Sequence, residues 1–580
     1  MKSILKTALG TLLGLFIFFL CITGILFIAI FTVLPEKNQR IEKTKSVLQF
    51  KTNFTIVEGA NELEPALSHP VSLTNIRLFT LIEAIKKAKI DPKIKGISWE
   101  AENLSGGLSQ LKDLRDVLCD FKKSGKFIYA YGQNFSQKAY YLASVADILF
   151  LNPFGNIDIK GLVTERFYYK NLSEKLGIEF SFFKEGKYKS AIETYTQTQM
   201  SKEDQQQTKQ LLGSLWNTLL TDFSASRRLG AEKVDQITDE LLGSTAESAQ
   251  GNHLVDHLAH YDEFIKSLAQ KLDLSAKESV NFIPVADYLQ ERKEKSGDTI
   301  AVLYASGTLL KGSGAQNIQD DYYMKMIDQI KKESSIKAVV IRINSPGGDA
   351  FASENLQRAL LKLKDKKPLI ASLGDYAASG GYYITTAADY IFASPVSVTG
   401  SIGVFGLIPN LKKLSDKIGF TTDKVGTHTN SLGISSTGEL SRAYEVVFRK
   451  NIHNIYNTFI KRVSTGRKIP VEQVEKIAQG RVWSGKDALN KKLIDQLGTL
   501  DEAVKFAAQK ADLTRYTLVD FPKKDPWISL LKDIYKNPGV DSSIYWEKLF
   551  VKKYPELFYE ISALLFSDSL QMRLPFKISF

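Results

Sequence analysis

The chain has 580 residues and a formal net charge of +12, with 44% hydrophobic and 24% charged residues. This is the composition of a globular protein of several domains, and it excludes a disordered or fibrous chain. The basic residues form no block interleaved with aromatic residues, so we expect no nucleic-acid binding. Two cysteines make no disulfide framework and six histidines form no ligand motif, so no metal or other cofactor is expected.

The first predicted element is a membrane-spanning helix at residues 7–35, after a short tail at residues 1–6. The segment carries no charge and exceeds the roughly 20 residues that cross a bilayer. It lacks a cleavage site of small residues, so we expect an uncleaved anchor in the lipid bilayer. Basic residues are more numerous in the linker at residues 36–45 than before the span, and that count alone predicts a cytoplasmic location for the rest of the chain.

The rest of the chain contains an internal repeat. Residues 94–118 align with residues 336–360, and residues 139–153 align with residues 381–395, at an offset of about 240 residues. We infer a tandem duplication followed by a C-terminal extension without a counterpart, which we expect to pack on the rest of the protein rather than on a partner or a membrane surface. The first copy, the linker, the second copy and the extension are predicted at residues 46–284, 285–298, 299–514 and 515–580.

Each copy alternates short apolar runs with helical patterns. In chain order, the second copy predicts a strand at "TIAVLYASGTL", a helix at "DDYYMKMIDQIKKE", a strand at "IKAVVIRIN", a helix at "ASENLQRALLKLKD", a strand at "KPLIASLG", a helix that begins at Ser379, and a strand at "ADYIFASP". This alternation predicts βαβ units and therefore an α/β fold with helices flanking a parallel sheet.

Two strand–turn–helix junctions of the second copy carry a candidate site. In "NSPGGDA", Gly347 and Gly348 leave backbone N–H groups open at a helix N-terminus, which suits an oxyanion hole, although a plain tight turn has the same pattern. Ser379 follows one unit later in "AASGG", where we expect the small residues to let a peptide reach the serine. Adjacent strands can bring both turns to one sheet edge. A hydroxyl nucleophile beside an oxyanion hole is the minimum for acyl transfer.

No histidine lies in a motif that would make it the base for this serine, and His428 is the only one near the motifs of the second copy. Comparison of the copies offers another base. Gln137 of the first copy stands at the position of Ser379, whereas Lys189 of the first copy stands opposite Thr429 of the second. Each copy therefore lacks the candidate residue that the other retains.

In combination, the segments "NSPGG", "AASGGYY", "TGSIGVFG", "GKYKSA" and "GRVWSGKDA" resemble the signal peptide peptidase A family of serine proteases, in its long tandem-domain form (protease IV). The resemblance covers residues 46 to about 514. It implies tandem duplicated α/β domains of the Clp protease/crotonase-like kind, which the predicted transmembrane helix precedes here.

The resemblance also implies a Ser–Lys dyad, with Ser379 as nucleophile and Lys189 as general base. It places Ser401 of "TGSIG" in a hydrogen bond with the lysine. From the turn residues we expect Gly348, with Gly347 and Gly380, to form the oxyanion hole. A lysine is a base only when neutral, so its pKa must fall from about 10.4 toward 7. Burial among apolar groups can produce such a shift.

The implied function is that of a membrane-anchored serine endopeptidase that degrades cleaved signal peptides and other membrane-associated peptides. The family implies the bacterial cytoplasmic (inner) membrane, with the catalytic part on the outer, periplasmic side, against the count of charges. It also implies a homo-oligomer, a tetramer for a duplicated chain. The alternatives are a crotonase-like acyl-CoA enzyme, which would leave "AASGG" and Lys189 unexplained, and a non-catalytic membrane scaffold.

Overall fold

The computed structural model describes residues 45–51, 54–59, 74–102, 104–288, 297–314, 317–523 and 570–573. The predicted membrane anchor lies outside these residues, as does most of the predicted C-terminal extension. Within the part of the chain that is described, no helix is both long and apolar enough to span a bilayer.

Strands and helices alternate along both copies. The strands are β1 (Ser46–Phe50), β2 (Phe54–Val57), β3 (Thr74–Arg77), β4 (Ile94–Trp99), β5 (Leu104–Ser105), β6 (Phe127–Ser136), β7 (Ile148–Asp158), β8 (Glu179–Glu185), β9 (His257–Leu258), β10 (Asn281–Pro284), β11 (Thr299–Ser306), β12 (Leu309–Leu310), β13 (Ile318–Gln319), β14 (Ile336–Ser345), β15 (Gly347–Asp349), β16 (Leu369–Ala378), β17 (Tyr390–Ala393), β18 (Val398–Gly400), β19 (Val404–Asn410), β20 (Val482–Ser484), β21 (Gln496–Leu497), β22 (Thr517–Phe521) and β23 (Leu570–Arg573). The helices are α1 (Leu78–Ile90), α2 (Leu108–Lys122), α3 (Gln137–Ala143), α4 (Lys170–Leu176), α5 (Glu193–Thr196), α6 (Lys202–Arg227), α7 (Ala231–Asp239), α8 (Ala246–Gly251), α9 (Tyr261–Lys271), α10 (Val285–Tyr288), α11 (Asp320–Lys332), α12 (Ala350–Lys364), α13 (Gly380–Thr385), α14 (Lys412–Lys417), α15 (Arg442–Arg467), α16 (Val471–Ile477), α17 (Gly485–Asn490) and α18 (Leu500–Lys510).

The first copy is built on a sheet in the order β10-β1-β4-β6-β7-β9, and every pairing in it is parallel. Its inner strands are largely buried on both faces, as in β4, where only Lys95 of six residues is exposed. A parallel sheet covered by helices on both faces requires such nearly continuous apolar strands. The α/β fold predicted from strand–helix alternation is therefore confirmed.

The second copy repeats this plan, with β22-β11-β14-β16 in parallel and β17 and β18 both paired with β16. Its predicted strands and helices are confirmed as β11, α11, β14, α12, β16, α13 and β17. One boundary differs, because β22 pairs with β11 as β10 pairs with β1. The sheet thus continues to Phe521, beyond residue 514, and the start of the C-terminal extension does have a counterpart in the first copy. The short, half-buried strand "TLVDF" carries too little pattern to be predicted.

A third sheet, in the order β13-β12-β15-β23-β19-β8, contains strands from both copies. Strand β8 of the first copy runs antiparallel to β19 of the second along its whole length, from Glu179 opposite Asn410 to Glu185 opposite Val404. This pairing brings the chain that follows β8 against the ends of β16 and β18.

Candidate active site

Lys189 and Ser379 meet in the interior of the protein. The Nζ atom of Lys189 lies 2.7 Å from the Oγ atom of Ser379. It also lies 2.9 Å from the Oγ atom and 3.1 Å from the carbonyl oxygen of Ser401. All three residues are fully buried. A neutral amine has two N–H bonds and one lone pair, so it can donate to both oxygens of Ser401 and accept from the Ser379 hydroxyl.

The surroundings favour that neutral state. Burial lowers the pKa of Lys189 well below its ordinary value, because an ammonium ion loses its hydration in the interior. Asp204, the carboxylate that accepts a hydrogen bond from the neighbouring Ser190 at 2.6 Å, is itself paired with Arg166. The carboxylate nearest the loop of Lys189 is therefore paired with a guanidinium rather than with the amine of Lys189.

Two glycines allow the backbone around Lys189, in the first copy, to lie directly against the backbone of the second copy. Gly186 follows β8 with φ +105°, and a Cβ there would lie 2.5 Å from the carbonyl carbon of Gln479. A Cβ on Gly480, at φ +77°, would lie 2.6 Å from the backbone nitrogen of Lys189. Tyr188 donates its N–H to the carbonyl of Gln479 at 2.8 Å between these glycines. The motifs "GKYKSA" and "GRVWSGKDA" are thus two sides of one close backbone contact.

Ser379 lies at a strained junction between β16 and α13. Its backbone has φ 55° and ψ −118°, a region that non-glycine residues rarely adopt. The Ser379 N–H donates to the carbonyl of Gly400 at 2.8 Å, and the N–H of Ser401, which also has a positive φ of 52°, donates to Arg481 at 2.7 Å. Such conformations cost about 1–3 kcal/mol each and persist where the surroundings fix them, often at functional sites.

The turn that holds Gly348 packs directly on the start of α13. A Cβ on Gly380 would lie 3.3 Å from the nitrogen of Gly348 and 2.5 Å from the Oγ atom of Ser353, and one on Gly381 would lie 2.7 Å from the carbonyl oxygen of Ser345. These glycines were expected to give a peptide access to the serine. In the structure they allow the predicted oxyanion turn to approach the helix that begins after Ser379, and access for a peptide stays a prediction.

The three glycines predicted for the oxyanion hole are not equivalent. The N–H of Gly347 donates to the Oγ atom of Ser345 at 3.2 Å, so it already has a partner within its own turn. Gly348 has φ +155°, and a Cβ there would collide with the carbonyl oxygen of Leu309 at 2.1 Å. Gly348 and Gly380 lie together beside the serine, whereas the N–H of Gly347 is directed elsewhere.

The alternative base His428 does not join this site, and neither do the two residues that align with Lys189 and Ser379 in the other copy. His428 is exposed, and its Nδ1 atom lies 2.9 Å from the hydroxyl of Thr427. Thr429, which stands opposite Lys189 in the copy alignment, is also exposed. In the first copy, Gln137 donates to the carbonyl of Gly161 at 2.8 Å and accepts from the N–H groups of Lys160 and Gly161. The position equivalent to the serine is therefore filled by a buried amide that makes three hydrogen bonds.

Sequence reasoning missed the residues that support the lysine loop, the segment that follows β8 and carries Lys189. Gln207, on α6, donates to the carbonyl of Tyr188 at 2.9 Å and to Ser190 at 3.2 Å. Arg166 and Asp204 form the buried ion pair on the other side of Ser190. No local motif marks these residues, because their partners are distant in sequence and the helix pattern of α6 predicts only that Gln207 lies in a helix.

The amino-acid sequence is similar to those of known peptidases along most of its length. A sequence model of peptidase family S49 matches residues 120–275 and 361–514, one segment in each copy. Protease 4 of Salmonella typhi is 36% identical over 78% of this chain and 74% of its own length. The chloroplastic serine protease SPPA of Arabidopsis thaliana is 32% identical over 81% of this chain and 71% of its own.

Among solved structures, ClpP1 from Listeria monocytogenes is 14% identical, with a TM-score of 0.24 over 35% of this chain and 94% of its own. A TM-score of this size carries no conclusion. The two mainly parallel sheets and the S49 match in each copy show the tandem α/β organisation without this likeness. The matches to the family and to its relatives show that the chain is a serine peptidase. It belongs to peptidase family S49.

Proposed function

We propose that this peptidase is a membrane-anchored serine endopeptidase in which Lys189 is the general base for Ser379. The observation that carries the proposal is the 2.7 Å contact between Nζ and Oγ in a fully buried site. A base must lie within hydrogen-bond distance of the proton that it removes, and it must be unprotonated at working pH. Burial favours the second condition, because it lowers the pKa of the lysine well below its ordinary value.

In the proposed acylation step, Oγ of Ser379 attacks the carbonyl carbon of the scissile peptide bond while its proton passes to the amine of Lys189. The oxyanion that forms accepts the N–H of Gly348, with that of Gly380 as second donor. Collapse of this intermediate breaks the C–N bond, and the ammonium of Lys189 returns the proton to the leaving amine. Water then attacks the acyl ester, with Lys189 again as base, and regenerates Ser379.

Ser401 is the proposed positioning residue of the dyad. Its hydroxyl and carbonyl oxygens both lie within 3.1 Å of Nζ. Two acceptors on one residue fix the direction of the two N–H bonds of the amine, and the lone pair is then left for the hydroxyl of Ser379.

The remaining parts of the proposal rest on the sequence. We assign residues 7–35 as the anchor in the bacterial cytoplasmic membrane, with the catalytic part on its outer side, and both copies to the Clp protease/crotonase-like kind of fold. Cleaved signal peptides and other membrane-associated peptides are the proposed substrates, since they lie close to an enzyme that the anchor holds at the bilayer. A homotetramer is the proposed assembly.

An acylating fluorophosphonate probe tests the catalytic part of the proposal. The full-length protein should be labelled at Ser379, and Ser379→Ala and Lys189→Ala should each lose labelling and peptidase activity. Matched controls are Ser353→Ala, which removes another buried hydroxyl close to Gly380, and Lys138→Ala, which removes another lysine whose pKa burial lowers. Labelling of the Ser379→Ala variant, or full activity of the Lys189→Ala variant, would refute the dyad.

A further inference from the structure

The C-terminal strand β23 lies in a gap between two edges of the candidate site. On one side it pairs antiparallel with β15, where Gln571, Met572 and Arg573 stand opposite Asp349, Gly348 and Gly347. On the other side it pairs antiparallel with β19, where Leu570 and Gln571 stand opposite Gly406 and Phe405. Gln571 therefore has a partner on both sides. One extended segment from the end of the chain bridges the oxyanion turn and the strand that follows Ser401.

The gap has the width of a single strand. Without β23 the third sheet would separate into β13-β12-β15 and β19-β8, and two open edges would face each other. Neighbouring strands lie about 4.8 Å apart, so β15 and β19 are held two strand spacings from each other. Open edges of this kind bind an extended chain through its backbone N–H and C=O groups, with little demand on side-chain identity.

The same gap runs beside the proposed catalytic residues. Gly348, the proposed oxyanion donor, is the residue of β15 that stands opposite Met572. A peptide bond that reacts with Ser379 must present its carbonyl to that N–H, so an external substrate must run along β15 where β23 now runs. Ser379 itself is fully buried in the structure. A substrate therefore cannot bind in this position until β23 leaves.

We propose that the segment Leu570–Arg573 is an internal occupant of the peptide-binding groove and that it lowers the activity of the enzyme toward external peptides. This inference rests on the proposed function, since it assumes that the groove beside Ser379 binds substrate. The occupant belongs to the same chain, so an external peptide competes with an intramolecular ligand. Activation then consists of displacement of the segment, without any change in the dyad.

The test uses two full-length variants at the doubly paired residue. Gln571→Pro removes a backbone N–H from the ladder, whereas the matched control Gln571→Ala keeps it. Gln571→Pro should raise kcat/KM on a chromogenic peptide by about tenfold, mainly through a lower KM, because an intramolecular occupant acts at an effective concentration that reaches the millimolar range. The rate of labelling by the fluorophosphonate probe should rise with it, and Gln571→Ala should stay within about twofold of the unmodified protein.

A synthetic peptide with the sequence "SDSLQMRLPF", residues 567–576, should inhibit the Gln571→Pro variant competitively. Equal kcat/KM and equal labelling rates for Gln571→Pro and the unmodified protein, or a peptide that does not compete, would overturn the inference. Absence of labelling in all of these proteins would instead refute the proposed function. The two failures are therefore distinguishable.

Discussion

At the scale of single residues, the proposed chemistry depends on an amine that is buried where a positive charge is unfavourable. Lys189 is fully buried, and burial lowers its pKa well below the ordinary 10.5. Between its lowered folded-state pKa and 10.5, the folded protein binds fewer protons than the unfolded chain does. The stability of the folded state must therefore rise with pH across that window, and it is lowest below the folded-state pKa.

The first prediction compares the unmodified protein with Lys189→Met, which keeps the length of the side chain but cannot bind a proton. As pH rises from 7 to 10, the free energy of unfolding of the unmodified protein should increase relative to that of the variant, by up to about 1.4 kcal/mol per pH unit. Urea denaturation of both proteins at each pH measures the difference. Parallel stability curves would mean that Lys189 has an ordinary pKa in the folded state.

The second prediction concerns Ser401. Ser401→Ala removes the hydroxyl that lies 2.9 Å from Nζ but keeps the carbonyl at 3.1 Å, so the amine is oriented less well and is not displaced. The value of kcat should fall about ten- to a hundredfold with KM nearly unchanged, less than after loss of Ser379 or Lys189. The pH profile of kcat/KM should keep its shape. An unchanged kcat would remove Ser401 from the proposed site.

At the scale of elements, the site depends on β8 crossing from one copy to the other. Seven residues of β8 pair with β19, and Lys189 follows four residues after the strand ends. The loop that carries Lys189 then packs against the backbone of Gln479 and Gly480 of the second copy. The position of the proposed base is thus set by a strand register and a backbone contact, and not by side chains close to it in sequence.

The third prediction tests that contact. Gly480→Ala places a methyl group 2.6 Å from the nitrogen of Lys189 at a positive φ, so the lysine loop must move. A shift of about 1 Å at a catalytic group can reduce the rate about a hundredfold, and we expect a fall of that order in kcat. The matched control is Gly213→Ala within α6, where a Cβ meets nothing within 4 Å. The control should keep full kcat and gain stability. Equal kcat in both variants would argue against the contact.

Local patterns in the sequence predict seven elements of the second copy, among them α13, which begins next to Ser379. They failed where partners are distant along the chain. Strand β8 contains exposed and half-buried residues without alternation, so nothing in it predicts a pairing with β19. The two copies could be compared residue by residue, which is why Gln137 and Lys189 could be found at all. The bond of Gly347 to Ser345 depends on turn geometry that the glycine pair alone does not specify.

At the scale of the whole molecule, a buried charged cluster joins the copies close to the site. Arg342 of β14 donates to both carboxylate oxygens of Glu58 at 2.9 Å, and a carboxylate oxygen of Asp113 lies 3.8 Å from the guanidinium. Asp375 of β16 accepts from the N–H of Ser109, at the start of α2, at 2.7 Å. The second copy thus supplies one cation and one acid, and the first copy supplies two acids.

The cluster contains three acids and one cation, and the pKa values of two of the acids are raised. Burial, followed by the neighbouring Glu58 carboxylate, raises the pKa of Asp375 to about 6. Burial also raises the pKa of Asp113 well above its usual range. The folded protein therefore binds more protons than the unfolded chain from about pH 4 to 6, so these groups contribute less stability as pH rises through that window.

The last prediction removes the shared cation. Arg342→Met takes the guanidinium away from the buried carboxylate of Glu58, which should lower the free energy of unfolding by about 3–5 kcal/mol. Adding Glu58→Gln in the same chain should recover part of that loss, because the buried charge is then gone. Arg358→Met, at an exposed position of α12, is the matched control and should change stability by less than about 0.5 kcal/mol. Urea denaturation at pH 7 measures all of them, and peptidase activity below the unfolding transition reports whether the copies still hold Lys189 against Ser379. If the double variant were no more stable than Arg342→Met alone, the cost would come from lost packing, and the cluster would hold the two copies together by shape rather than by charge.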